Sequence, residues 1–428
     1  MISPRPCEAP ASETLPADKP AVAPSASTPR ARLRVAYLDL WCFIPYYMAA
    51  ITTALADQNI QPQLLSSSYR LDPEYFRRRK IANNRGLLDL VSRRQVRIPW
   101  LRRWLKLTEY CFNLTLFTLK LLFAPPEIIH IQYLALLSRG LPVELWMLRI
   151  AKWRGIRLVC TVHNVLPHDT GDRYKAGFSR LYAMADLLIC HNRAARARIE
   201  QEFGIPSKRI EVIPHGPLQQ LPGSMTPQEA VEDLQLPKDR IIVLWQGVIA
   251  AYKGIEFLLE AWKHVSSKAL LLIAGAGEGP LLAKIKAKVE EPESDLSNRV
   301  RLDFGFIPPE KLPAYYQAAS VLVYPYSQIT TSGALLTGLG YGKPIVATRL
   351  PAFEEMFHEG KAGNDGQSAL LVEYGDARSL AAAINSLIES EPLRTRLGAA
   401  SKRLAETAYS WEQIAIRTRQ AYDALLND

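Results

Sequence analysis

Short apolar runs alternate along the chain with longer segments in which apolar residues recur every three or four positions. The first pattern is typical of buried parallel strands, and the second is typical of amphipathic helices. The alternation is clearest where Val321–Tyr324 precedes a polar loop, a helix-forming run from Ala334, and a second apolar run at Ile345 and Val346. Strands that alternate with helices predict a doubly wound parallel α/β sheet.

The alternation occurs twice, which predicts two Rossmann-like domains that face each other across a cleft. In the first half we expect strands over 33–40, 128–131, 157–162, 187–190 and 210–213, and helices over 46–57, 114–123, 141–153, 178–184 and 194–203. In the second half the alternation runs from 241 to about 390, and an amphipathic helix follows over 411–426.

These patterns set the predicted domain boundaries. The first 30 residues are rich in Pro, Ala and Ser, and we expect them to be disordered. The predicted units are the tail 1–30, a first domain 31–215, a linker 216–238, a second domain 239–408 and a closing helix 409–428.

The formal net charge of +10 is concentrated in one segment. Between Arg70 and Lys106, twelve basic residues stand against three acidic ones, which leaves +1 for the rest of the chain. Tryptophans at helical spacing interrupt this segment, and each basic residue near an anionic membrane contributes on the order of 1 kcal/mol. We therefore predict a membrane patch, with a solvated helix face as the alternative, and we expect no nucleic-acid binding because no recognised module accompanies the patch. The patch residues are Arg93, Arg94, Arg97, Trp100, Arg102, Arg103, Trp104 and Lys106.

Composition limits the class of protein further. Five scattered cysteines lack metal-ligand spacing, which favours reduced thiols in the cytoplasm. The most apolar run, 112–124, is too short to span a membrane and contains Lys120. No apolar signal segment follows a basic start. We expect a cytoplasmic protein that is peripheral on the inner face of the membrane.

Polar loops at strand ends in the second half are candidate anion sites. Residues 330–333 place small hydroxyl side chains at a helix start, where free N–H groups and the helix dipole favour a phosphate. The same residues also cap helices that hold no ligand. Lys253 follows the predicted strand 241–247 and supplies a cation in the loop. Glycines from Gly275 onward permit close approach of a ligand or only a tight turn.

With these pieces in place, the chain resembles glycosyltransferases of family 4, which have the two-domain GT-B fold. The resemblance covers nearly all of residues 32–428. It rests on the order and spacing of motifs at 161–164, 167–168, 213–216, 252–254, 274–277, 305–308, 331–334 and 342–344. It implies an acceptor-binding first domain, a nucleotide-sugar-binding second domain and a closing helix that crosses back to the first domain.

The resemblance also implies roles for individual residues. Lys253 would contact the donor diphosphate and stabilise the charge on the departing nucleotide. His163 would lie in the cleft near the transferred sugar or the acceptor, although a histidine at a strand end is equally a satisfied core residue. The implied donor-binding residues are Gly247, Lys253, Gly275, Phe306, Ile307, Thr330, Thr331, Ser332, Gly333 and Thr337. The implied acceptor-side residues, which include the candidate bases, are His163, Asn164, His168 and Asp169.

The chain departs from the family pattern at two acidic positions. Many members carry two glutamates, and these positions hold Ile329 and Thr337 here. The chain is similar to a branch with a Ser-Gly loop instead, which leaves Lys253 and the loop amides as the main leaving-group stabilisers. A retaining or an inverting outcome stays open. We expect no metal and no cofactor beyond the nucleotide-sugar co-substrate.

The leading hypothesis is a hexosyltransferase that moves a sugar from a GDP- or UDP-sugar to a membrane-associated acceptor, such as a glycolipid or a lipid-linked oligosaccharide, in polysaccharide or glycolipid synthesis. The alternative is a non-catalytic subunit that binds a glycan or a nucleotide and docks on a membrane partner.

Overall fold

The computed structural model describes residues 32–42, 44–66, 76, 81, 87–88, 90–93, 96, 98–167, 171–218, 225–291, 294–359 and 368–427. The predicted disordered tail, 1–30, lies outside these residues, and so does most of the basic segment before Ile98.

The first sheet has six parallel strands in the order β2-β1-β3-β4-β5-β6. The strands are β1 (Leu33–Leu38), β2 (Ile60–Leu65), β3 (Ile128–Ile131), β4 (Arg157–Val162), β5 (Leu187–Cys190) and β6 (Ile210–Val212). The helices are α1 (Pro45–Ala56), α2 (Leu90–Arg93), α3 (Pro99–Phe123), α4 (Val143–Trp153), α5 (Lys175–Met184) and α6 (Arg193–Phe203). We call this part lobe 1.

The second sheet also has six parallel strands, in the order β12-β11-β10-β7-β8-β9. They are β7 (Ile241–Gln246), β8 (Ala269–Gly275), β9 (Val300–Phe304), β10 (Val321–Tyr324), β11 (Ile345–Thr348) and β12 (Leu370–Val372). The helices are α7 (Pro227–Asp233), α8 (Ile255–Trp262), α9 (Gly279–Val289), α10 (Leu312–Ala318), α11 (Gly333–Gly340), α12 (Pro351–Glu359), α13 (Ala377–Glu389) and α14 (Glu391–Glu406). We call this part lobe 2.

Both sheets are covered on both faces, as the apolar runs predict. In β1, Ala36 and Leu38 join one apolar core while Val35 and Tyr37 join another on the opposite face. The strands of lobe 2 divide in the same way between two cores. The prediction of two Rossmann-like lobes is confirmed.

A final helix, α15 (Trp411–Asn427), follows lobe 2 in the chain but packs on α1 of lobe 1. Its Tyr422 is fully buried, and the hydroxyl lies 2.6 Å from that of Tyr37 in β1. The closing helix therefore crosses back, as the family resemblance implies.

Three details differ from the expected elements. Strand β2 has no predicted counterpart, because Pro62 and two glutamines interrupt its apolar pattern at the sheet edge, where proline is tolerated. Helix α3 begins at Pro99, well before the apolar run at 114. The segment predicted as a linker contains α7, which a Thr226–Glu229 capping box begins and which places Ala230 in a core of lobe 2.

Candidate active site

Three neighbouring strands of lobe 1 end in polar side chains that touch one another. Gln132 follows β3, His163 follows β4 and His191 follows β5. His163 Nε2 lies 2.9 Å from Gln132 Oε1, and His163 Nδ1 lies 3.2 Å from His191 Nε2. The carboxyl ends of parallel strands meet at one sheet edge, which is the usual ligand edge of open α/β sheets.

Three buried histidines, His130, His191 and His215, and the half-buried His163 surround this edge, and we call these four residues the histidine cluster. Burial lowers the pKa of His191 to about 4 and the pKa values of His130 and His215 to about 3. Burial, with the charges of the neighbouring histidines, also holds the pKa of His163 well below its usual range. The cluster is therefore neutral at pH 7.

Neutrality limits the hydrogen bonds that each histidine can donate. His191 Nδ1 donates to the Ile213 carbonyl at 3.1 Å, so His191 Nε2, 3.2 Å from His163 Nδ1, is an acceptor. A neutral His163 carries one ring proton, so it donates either to His191 Nε2 or to Gln132 Oε1 and not to both. Tyr47 packs edge-on against the ring. Asn164 is half-buried beside it, while His168 and Asp169 lie outside the described residues. The catalytic role of His163 stays a prediction.

Lys253 lies in lobe 2, in a 3-10 turn between β7 and α8. Burial lowers the pKa of its ammonium to about 8. Lys253 is half-buried, and among the described residues no ion pair or hydrogen bond engages its Nζ, which lies 5.6 Å from the centre of the Tyr326 ring. A desolvated cation without an anionic partner is costly unless a ligand supplies the negative charge.

The loop before α11 also contacts Tyr326. Ser332 begins α11 as its N-cap, with Oγ accepting from the Leu335 N–H at 3.2 Å, and the Tyr326 hydroxyl is 3.4 Å from the same Oγ. The Thr331 hydroxyl is buried, and no described residue forms a hydrogen bond with it. Ser332 and Lys253 therefore share the Tyr326 side chain as a neighbour.

Two further predicted donor-binding residues lie in α11. The Gly333 carbonyl accepts from the Thr337 hydroxyl at 2.8 Å, one helical turn away. Thr337 is buried, and this bond engages its only side-chain donor.

Glycines end three adjacent strands of lobe 2. A Cβ on Gly275, whose φ is +152°, would lie 1.8 Å from the Gly247 carbonyl oxygen, so these two strand ends are in backbone contact. Gly305 donates to the Gly275 carbonyl at 3.0 Å, and it leads to an exposed Phe306 and a half-buried Ile307. The glycines at these strand ends leave main chain accessible at the ligand edge of the sheet.

A cleft of about 570 Å³ separates the lobes beside the loop before α11. Lobe 2 contributes Gln328, Ile329 and Thr330 to its wall. Lobe 1 contributes apolar side chains and two ion pairs; its lining residues are Val165, Leu166, Pro167, Asp172, Lys175, Arg198 and Glu202. The cleft therefore offers both apolar and charged groups to a polar ligand.

The predicted membrane patch is partly described. Trp100 and Trp104 of α3 are 64% and 62% exposed, and Arg102 and Arg103 are exposed beside them. Lys106 is half-buried. Arg94, Arg97 and the side chain of Arg93 lie outside the described residues. Within the described part of the chain, no helix is long and apolar enough to cross a membrane.

Sequence reasoning missed Gln132, His191 and Asn192 as site residues. Each follows a predicted strand closely, and polar residues at the carboxyl ends of adjacent parallel strands were the signal that could have found them. His215 belongs to one of the family motifs, but its burial against Tyr47 depends on packing between elements far apart in the chain.

Comparison with known proteins agrees with this arrangement. A family model described as "Glycosyltransferase Family 4" matches residues 45–216, and one described as "Glycosyl transferases group 1" matches residues 240–390. The two matches follow the order of the two lobes and together cover most of both.

Individual relatives are more distant. A D-inositol 3-phosphate glycosyltransferase of Corynebacterium urealyticum is 28% identical over 250 residues, which are 56% of this chain and 57% of the relative. The lipopolysaccharide core biosynthesis glycosyltransferase LpsD of Rhizobium meliloti is 31% identical over 196 residues, which are 44% of this chain and 51% of the relative. The chain thus spans little more than half the length of the curated relatives named here.

A solved structure shares the fold across both lobes. Anabaena Alr3699/HepE in complex with UDP and glucose has a TM-score of 0.69 at 12% identity, covering 92% of this chain and all of that chain. The lobe-by-lobe family matches and the shared two-lobed fold lead to one conclusion: the chain belongs to the family 4 type of glycosyltransferases, with the GT-B fold.

Proposed function

We propose that the chain transfers a hexose from a UDP- or GDP-sugar to an acceptor held in the cleft between the lobes. The observation that carries the proposal is the half-buried Lys253, whose ammonium has no carboxylate partner among the described residues and lies over the Tyr326 ring, the same side chain whose hydroxyl is 3.4 Å from Oγ of the α11 N-cap Ser332. A diphosphate bridging these groups would receive a cation, main-chain N–H donors and the positive end of a helix dipole.

The chemistry follows from where negative charge develops. As the bond between the sugar and the diphosphate breaks, charge builds on the departing nucleotide, and preorganised donors stabilise that charge. In the proposed mechanism Lys253 and the amides of residues 331–333 stabilise this charge, and transfer needs no metal ion. Unchanged transfer in the presence of a chelator is the expected result, and loss of transfer that added Mg²⁺ or Mn²⁺ restores would overturn it.

Lys343 provides a matched control for Lys253. Burial lowers the pKa of both ammonium groups to about 8, and both lie in lobe 2. Lys343, however, donates to the Gln317 carbonyl at 2.9 Å. The assay uses purified protein with a set of UDP- and GDP-sugars and detects the transfer product by its mass. The rate of product formation should fall at least ~10²-fold for Lys253→Met, the typical loss for one charge-stabilising donor. Lys343→Met should keep its donor binding. Equal losses in both variants would remove the assigned role of Lys253.

A membrane-linked acceptor is the second part of the proposal. Of seventeen exposed large apolar side chains among the described residues, thirteen lie between Leu88 and Trp153 of lobe 1. Helix α4 adds Trp146 and Trp153, at 65% and 77% exposure, to the tryptophans of α3. Arg154 donates to the Leu122 carbonyl and so ties the C-terminal ends of the two helices together.

The charges on these helices match an anionic bilayer. The exposed charged groups of α3 and α4 are basic, while Glu109 and Glu144, the acidic residues of the two helices, are buried. Tryptophan and arginine together suit the membrane interface. Sedimentation with vesicles that contain anionic lipid should capture the protein at low salt and release it at high salt.

Two variants test the contribution of the aromatic side chains. Trp100→Ala should weaken vesicle binding, whereas Tyr374→Ala, which removes a 49% exposed aromatic side chain from lobe 2, should not. If vesicle binding depends neither on the charge of the lipid nor on Trp100, the proposed membrane association is wrong.

A non-catalytic binding subunit is the second candidate function. It is favoured by Ile329 in the cleft wall and by Thr337, whose hydroxyl is engaged within α11. Both candidates bind a nucleoside diphosphate, so binding does not separate them. Turnover of a radiolabelled nucleotide sugar in the presence of membrane extract does: release of labelled product supports the enzyme, and tight binding without turnover supports the subunit.

A further inference from the structure

One side chain of lobe 1 holds the candidate phosphate loop of lobe 2. Asn192 is the N-cap of α6, and its Oδ1 accepts from the Ala195 N–H at 2.7 Å. Its Nδ2 donates to the Thr330 carbonyl of the other lobe at 2.6 Å. A single amide thus caps a helix in one lobe and tethers a loop in the other.

A second contact joins the lobes one residue further along. Both carboxylate oxygens of Glu355, in α12 of lobe 2, accept from the Arg193 N–H, at 2.7 and 2.8 Å. This places a carboxylate at the N-terminus of α6, where the helix dipole favours negative charge. Two groups of lobe 2 therefore meet the first turn of the same helix.

The residue before Asn192 belongs to the histidine cluster. His191 Nε2 lies 3.2 Å from His163 Nδ1 at the carboxyl edge of the lobe 1 sheet, so one backbone step separates the histidine cluster from the tether to Thr330. The tethered carbonyl lies two residues before Ser332, the N-cap of α11. Movement of α6 relative to lobe 2 would therefore pull directly on the loop that is proposed to hold the donor phosphates.

We propose that Asn192 is a positioning residue, which holds the Thr330–Ser332 loop in its binding shape only while the two lobes are together, and so couples lobe closure to donor binding. The inference rests on the proposed function for the identity of the ligand, but not for the tether itself. It assigns to Asn192 a role that its helix-capping contact alone does not require.

Asn192→Asp separates the two contacts of this side chain. Aspartate caps a helix as well as asparagine does, so α6 keeps its N-cap. The carboxylate cannot donate to the Thr330 carbonyl and repels it instead. Asn385→Asp is the matched control: Asn385 accepts from the Ser266 N–H at 2.9 Å and donates to the His264 carbonyl at 3.1 Å, but all three residues lie in lobe 2.

Hydrogen exchange and small-angle scattering of the ligand-free protein measure the tether. We expect the amides of residues 329–333 to exchange roughly fivefold faster in Asn192→Asp, as loss of one hydrogen bond of ordinary strength predicts. We also expect a larger radius of gyration for this variant. Asn385→Asp should match the wild type in both measurements. Unchanged exchange and an unchanged radius of gyration in Asn192→Asp would overturn the inference.

Calorimetry with UDP and with GDP tests the coupling. Because the loop in Asn192→Asp must be ordered at the moment of binding, we expect its dissociation constant to rise roughly fivefold for the nucleotide that the wild type binds. Equal affinity in the two proteins would refute the coupling. If neither nucleotide binds the wild type, the proposed function fails, while the exchange and scattering results still decide whether Asn192 holds the loop.

Discussion

Replacing Lys253 with Met should stabilise the protein while it weakens donor binding. Burial lowers the pKa of Lys253 from 10.5 to about 8. One pKa unit corresponds to about 1.4 kcal/mol, so keeping this group charged at pH 7 costs about 3 kcal/mol. Methionine fills the same space without a charge, and it gives up only the attraction between the ammonium and the Tyr326 ring. We expect the free energy of unfolding to rise by about 2 kcal/mol.

The pH dependence of this gain has a definite sign. The folded-state pKa of Lys253 lies below its unfolded value, so folding bears the full cost of the charge below pH 8. That cost disappears as the pH rises from 8 to 10.5. The stability difference between Lys253→Met and the wild type should therefore be largest near pH 7 and shrink above pH 8. Urea unfolding of both proteins at several pH values measures it.

Nucleotide affinity should follow the same titration. About nine-tenths of Lys253 is charged at pH 7 and about one-tenth at pH 9, so a ligand that requires the ammonium should bind roughly tenfold more weakly at pH 9. Calorimetry with UDP and GDP in Lys253→Met should show weak binding without this pH dependence. A variant less stable than the wild type, or a flat affinity of the wild type from pH 7 to 9, would refute the assigned charge and its role.

Three other perturbations test the packing around the site. Burial depresses the pKa values of the histidine cluster, so the stability that the neutral histidines contribute is fully present above pH 6.5 and declines as the pH falls towards 4. The decline is up to about 1.4 kcal/mol per pH unit for each histidine. Urea unfolding at pH 7, 6 and 5 should show a steep loss of stability, and a flat profile would contradict this prediction. Tyr422→Phe removes a hydroxyl that lies 2.5 Å from His130 Nδ1 in the core of lobe 1, and it should cost about 1–3 kcal/mol in chemical unfolding; a change under about 0.5 kcal/mol would show that the hydroxyl adds nothing. Gly275→Ala drives a Cβ into the Gly247 carbonyl and should lower the thermal midpoint by many degrees, whereas Gly279→Ala meets nothing within 4 Å and should leave it nearly unchanged; equal midpoints would contradict the backbone contact.

Much of the fold could be predicted from the chain because apolar runs and amphipathic helices alternate with few interruptions. The exceptions have local causes. Strand β2 carries Pro62 at a sheet edge, where only one side of the strand must pair, so its pattern is weak. Helix α7 begins at a Thr226–Glu229 capping box, within a stretch that polarity alone marks as a linker.

The candidate site could be predicted less completely, because it is made by residues from separate strands. Lys253 and Ser332 stand in local motifs, and their placement around Tyr326 follows from the neighbouring positions of β7 and β10 in the sheet. The contact between Asn192 and Thr330 joins positions 138 residues apart in different lobes. No local pattern encodes such a contact, since it depends on how the two lobes meet.

The return of α15 to lobe 1 has a consequence for how the chain folds. Lobe 1 is synthesised first, but its packing is completed by α15, which follows all of lobe 2 in the chain. Until α15 arrives, Tyr37 and His130 lack the Tyr422 hydroxyl, and the apolar surface of α1 is uncovered. During synthesis lobe 1 thus stays incompletely packed until α15 has been made. A chain that terminates before Trp411 would expose this apolar surface and be prone to aggregation.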